Sequence, residues 1–81
     1  MDDTEGRAII TPSARRHGVP DADILHAVRN PRQVDFTDDG HIFAIGSQRD
    51  GAFVELVIVD DVANGLLRII HAMPARTTRL R

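Results

Sequence analysis

The chain has no cysteine, lysine, tryptophan or tyrosine, and three phenylalanines supply all of its aromatic surface. Without cysteine there is no disulfide scaffold, no thiolate ligand for zinc and no thiol nucleophile. No apolar run approaches the roughly 20 residues of a membrane helix, and the acidic opening MDDTEG does not read as a signal peptide. A cytoplasmic location is therefore the expectation. A Gly-x-Ser-x-Gly elbow and a glycine-rich phosphate loop are both missing, and three aromatics offer little on which to stack bases. No two of the four histidines have a recognised metal-ligand spacing, so neither a metal site nor a cofactor is expected.

Acidic residues are also missing from the C-terminal end. Residues 1–67 hold all twelve acids and six arginines, a net −6, whereas residues 68–81 hold Arg68, Arg76, Arg79 and Arg81 and no acid, a net +4. Guanidinium forks suit phosphates and carboxylates, so a basic end of this kind meets RNA or an acidic partner, or is simply solvated. The 81 residues, 42% hydrophobic and 27% charged, make one ordinary globular domain spanning 1–81. Residues 1–6 read as a disordered lead-in and 74–81 as a basic tail.

Punctuation divides the remainder. Thr11-Pro12 reads as a helix cap and first turn, and Gly18 as its stop. Pro20 opens a second helix with Asp21 and Asp23 in its first turn and Ile24, Leu25 and Val28 on one face; Asn30-Pro31 ends it. Strands follow at 34–36, 41–47, 52–59 and 66–73, separated by Asp38-Asp39-Gly40, by Gln48 to Gly51 and by Asp60 to Gly65, and Pro74 breaks the last. The predicted fold is α+β, two short N-terminal helices followed by a four-stranded antiparallel sheet meander with the helices on one face. Two short helices cannot cover four strands, so an exposed apolar sheet face is expected.

Histidine is the side chain whose ordinary titration lies near neutrality. His17 falls at a helix end beside Arg15 and Arg16, a surface position or a functional one. His26 lies on the polar face of the second helix and reads as exposed, and His41 begins a strand and reads as solvated. His71 sits inside an apolar strand, where it is either a satisfied core residue or a general acid or base. In that last strand, period-two alternation places Leu67, Ile69, His71 and Met73 on one face and Leu66, Arg68, Ile70 and Ala72 on the other. Arg68 then faces a binding partner or pairs with Glu55 or another acid.

Three segments carry a resemblance. Ala14-Arg-Arg-His-Gly-Val-Pro with Asp21-Ala-Asp-Ile-Leu resembles a "KHGVSFEEA"-type helix pair. Phe43-Ala-Ile-Gly-Ser resembles an "aiG-S" strand, and Leu67-Arg-Ile-Ile-His-Ala-Met-Pro-Ala-Arg resembles a "RIISAR" strand. Together, from about residue 11 to residue 79, they look like the BrnT branch of the RelE/ParE-type toxin superfamily. The resemblance implies a toxin of a bacterial type II toxin–antitoxin system, an endoribonuclease that arrests translation by cutting mRNA. It also implies an antitoxin protein partner, in a hetero-oligomer or beside a homodimer. His17 matches the helix-pair histidine and Arg68 the strand arginine. Met73 stands where the family has its next arginine, with Arg76 three residues on, and His71 where it often has serine. The family's C-terminal glutamate and tyrosine are missing.

Metal-free RNA cleavage needs a base for the ribose 2′-hydroxyl, a cation for the phosphate and an acid for the leaving oxygen. The residues expected to supply these are His17 or His71 for proton transfer and Arg68 and Arg76 for the phosphate, with Arg79, Arg81 and Arg16 as further phosphate contacts. Strict alternation sets Arg68 and His71 on opposite faces, so one site holds both only if the strand twists or bulges near Ala72. The alternative reading is a non-catalytic partner-binding module on the same fold.

Overall fold

The computed structural model of the chain describes residues 7–76, and most of its elements begin and end at the punctuation of the sequence. Strand β1 is Ala8–Ile10, helix α1 is Asp21–Arg29, and strands β2 to β5 are Pro31–Phe36, His41–Ser47, Phe53–Asp61 and Leu66–Pro74. Short 3-10 turns occupy Pro12–Arg15 and Val62–Asn64. Pro20 stands at the entry of α1, where its carbonyl accepts from the N–H groups of Asp23 and Ile24. Gly40 closes the β2–β3 hairpin at φ 86°, a left-handed value that a residue with a Cβ adopts only under strain.

The strands form one five-stranded sheet in the order β1-β5-β4-β3-β2. From β2 through β5 every pairing is antiparallel, but β1 runs parallel to β5, with Ala8, Ile9 and Ile10 opposite Leu67, Arg68 and Ile69. The sheet is therefore mixed and five-stranded with one α-helix, not a four-stranded antiparallel meander with two. Two physical facts account for the correction. Three residues are too few to display a strand period, and β1 exists because β5 offers it an edge. The expected first helix is only a four-residue 3-10 turn because the hydroxyls that resemble helix caps bond elsewhere. Thr11 donates from both its N–H and its Oγ1 to the Ile69 carbonyl, at 3.1 and 2.9 Å, and Ser13 Oγ donates to the Ile70 carbonyl at 2.7 Å.

One face of the sheet carries α1. Ile24 and Ala27 of the helix, with Ala14 and Val19 before it, close on Ala44, Val54, Leu56, Ile58, Ile69 and Ala72, and all are buried. The helix lies directly on β3 at Gly46, where a Cβ would run into the carbonyl oxygen of Ala27 and stand 2.7 Å from its carbonyl carbon. A second tie fixes the start of the helix. Buried Asp23 accepts from the Arg49 N–H at 3.1 Å and from Arg49 Nε at 2.7 Å, fastening the β3–β4 turn to it. Those bonds, the side-chain one first, hold the Asp23 carboxyl below the ordinary carboxylate range. Among the described residues no helix is long and apolar enough to cross a membrane. The ladder continues past Pro74, since the Ala75 N–H donates to the Phe53 carbonyl at 2.9 Å; residues 1–6 and most of the basic end lie outside the described residues.

Candidate functional site

The geometry of the site begins with a one-residue irregularity. Val57 pairs with His71 and Ile58 with Ile69, so Ile70 has no opposite number on β4. A bulge of this kind reverses the alternation beyond it. Ile69 and Ala72, three apart, are consequently both fully buried toward the helix. Arg68 pairs with Val59 and His71 with Val57, and Val57 and Val59 share the face of β4 turned away from the core. The bulge thus brings Arg68 and His71 to the same open face of the sheet. It lies at Ile70 rather than near Ala72.

The turn after β1 delivers the second imidazole. With Thr11 and Ser13 pinned to the carbonyls of Ile69 and Ile70, the chain leaves the edge of β5 so that His17 meets His71 edge-on. Their ring centroids are 5.5 Å apart and their planes at 72°. On its other side, His71 Nε2 stands 3.6 Å from Oε1 of Glu55, a residue only 4% exposed. Glu55 and Met73 are opposite one another on β4 and β5. Glu55, His71 and Met73, with Phe43, Val57, Ile70 and Arg76, line an open cleft of about 440 Å³. Phe43 and Val57 also wall a neighbouring hollow of about 490 Å³ at the β2–β3 turn, bordered by Thr37, Asp39 and His41.

The expected residues separate into groups. His17 meets His71, and His71 and Arg76 line the cleft with Met73. Arg68 shares their face but is engaged, its Nε donating to Asp61 Oδ2 at 3.1 Å. Asp61 also accepts from the Asn64 N–H and Nδ2, and those bonds, more than Arg68, hold its carboxyl below the ordinary range. Arg16 is exposed and takes no part in the cleft. Arg79 and Arg81 lie outside the described residues.

Two histidines outside the cleft are more engaged than their sequence positions suggest. His26 is half-buried rather than exposed, with Nδ1 2.7 Å from the Ser47 carbonyl, so Nδ1 carries the proton and the ring links α1 to the end of β3. His41 Nδ1 lies 2.8 Å from Asp39 Oδ2. The Asp39 carboxyl, bonded first by the Thr37 hydroxyl and then by His41, is pulled down to about 2.

Glu55 is the functional candidate that sequence reasoning underused. In the sequence it stands only as an optional partner for Arg68. Its signal is an acid amid Phe53, Val54, Leu56, Val57 and Ile58, because a glutamate in so apolar a strand is rarely buried without a partner. Among the described residues no group of three or more histidine or acidic side chains is placed to hold a metal ion. What the cleft offers is one imidazole, one guanidinium and one carboxylate around an apolar floor, with the His17 ring against the His71 imidazole. No protein-family model, curated protein or solved structure matches the chain, so these residues carry the functional argument themselves.

Proposed function

We propose that this chain is a cytoplasmic, metal-independent endoribonuclease of the toxin type expected from its sequence, neutralised by a cognate antitoxin. The observation that supports the reading is the Ile70 bulge, which sets His71 and Arg68 on one open face where His17 reaches His71. Two adjacent imidazoles supply the two proton transfers that RNA cleavage requires. One accepts the ribose 2′-hydroxyl proton as the 2′-oxygen attacks phosphorus. The P–O5′ bond breaks, and the other gives its proton to the departing 5′-oxygen. The products are a 2′,3′-cyclic phosphate and a 5′-hydroxyl. Arg76, at the wall of the same cleft, faces the charge that builds on the phosphate, and Arg68, offset by Asp61, contributes less.

The test is induction of the chain alone in bacteria, with protein synthesis followed and RNA ends mapped, and then cleavage by purified protein with and without a chelator. Translation arrest and chelator-resistant cleavage are expected. His71→Ala and His17→Ala should each lower the cleavage rate by about 10²–10⁴-fold, and Arg76→Ala should lower it more than Arg68→Ala. Unimpaired growth and intact RNA would sink the enzymatic reading.

The partner-binding alternative draws on a separate observation. Phe36 and Val34 of the edge strand β2 are 78% and 44% exposed, more than an isolated monomer gains from. On that reading the product of the neighbouring gene binds the chain, and RNA is never turned over.

A further inference from the structure

We infer that Glu55 fixes the tautomer of His71, so that His71 exchanges protons through Nδ1 while Nε2 keeps its hydrogen throughout. The catalytic half of this inference rests on the ribonuclease reading; the tautomer itself does not. A neutral imidazole has one N–H and one lone pair, and its surroundings select which nitrogen carries which. Here Oε1 of Glu55 stands 3.6 Å from Nε2. The two side chains are 6% and 31% exposed, so little water intervenes to soften their interaction. A lone pair directed at that carboxylate is repelled, and an N–H directed at it is attracted. The preference is the same whether the ring is neutral or charged, because the imidazolium also presents an N–H at Nε2.

The backbone reinforces the choice. Glu55 lies in the middle of β4 opposite Met73, and His71 opposite Val57, so the two side chains are diagonal neighbours on one sheet face. Among the described residues the other ionisable groups around the ring are His17 from the turn after β1 and Arg76 beyond the end of β5. Neither offers an anionic acceptor, so among the described residues Glu55 is the group that selects between the nitrogens. Glu55 is a positioning residue: it acts on the substrate only through His71.

The experiment is nitrogen-15 NMR of the histidine side chains in the full chain, at a pH where the rings are neutral, with His71 assigned by its loss in His71→Asn. The wild type should show a pyrrole-type Nε2 and a pyridine-type Nδ1 for His71. Glu55→Gln should populate both tautomers, since an amide offers Nε2 either an acceptor or a donor. In RNA cleavage the same variant should lose at least about tenfold in kcat with little change in KM. A wild-type His71 that carries its proton on Nδ1 overturns the inference, and this holds even if Glu55→Gln fails to fold. If the wild type cleaves RNA and Glu55→Gln cleaves equally well, the positioning role is wrong and the ribonuclease reading survives. If the wild type cuts no RNA, the ribonuclease reading is lost, and the wild-type spectrum still decides the tautomer.

Discussion

Gly46 shows how narrowly the helix is fitted to the sheet. A methyl group there meets the Ala27 backbone, which has no flexible end to move aside. Gly46→Ala should therefore destabilise the fold by about 1–3 kcal/mol or more through overpacking, read as a lower urea midpoint. Leu56→Ala, at a fully buried position on the same face, should cost about 2–5 kcal/mol by the opposite mechanism of an unfilled cavity. Single residues also mark the boundary of what the sequence discloses. The Gly46 contact was invisible there, because Phe43-Ala-Ile-Gly-Ser shows a glycine in a strand and not what approaches it. Glu55 was visible as an anomaly, but its partner lay sixteen residues on, across a register set by a bulge.

Elements bounded by their own turn residues were legible. Strand β3 runs over the expected 41–47, and β4 and β5 agree with expectation to within two residues at each end. Helix α1 begins after Pro20 and ends before Asn30-Pro31, as the caps imply. The elements that failed are those whose reason is non-local. Thr11-Pro12 has the form of a helix start, yet its hydroxyl bonds to a carbonyl 58 residues away. The Ile70 bulge could not be placed from a strand apolar on both faces, where Arg68 and His71 fall on opposite sides by alternation but do not mark where the side changes. Ser13→Ala removes the bond to the Ile70 carbonyl. It should cost about 0.5–1.5 kcal/mol and, on the proposed ribonuclease reading, lower RNA cleavage further than that loss explains, because the turn it pins is what carries His17. Equal cleavage by the variant at a temperature where both proteins are folded would contradict this role for the turn.

At the scale of the molecule, five aspartates share an electrostatic property. Asp21, Asp23, Asp39, Asp50 and Asp61 are all held below the usual carboxylate range by hydrogen bonds made only in the folded chain. Unfolding returns each to about 3.9, so below roughly pH 5 the unfolded chain binds more protons than the native one. Their stabilisation is fully present above the unfolded value and is lost as pH falls through the folded values, the lowest of which is about 2 at Asp39. Urea midpoints should fall steadily from pH 5 to pH 2, and Asp23→Asn should be less stable at pH 5 and show a shallower decline. A midpoint level across that range would refute the assignment.

The parallel pairing of β1 with β5 has a consequence for synthesis. A chain emerging N-terminus first makes Ala8–Ile10 and His17 early, but the strand that holds them is the last to appear. Until residues 66–74 are out, Thr11 and Ser13 have no carbonyls to bind and His17 has no His71 to meet. A nascent chain thus lacks the His17–His71 pair until its last strand pairs with its first.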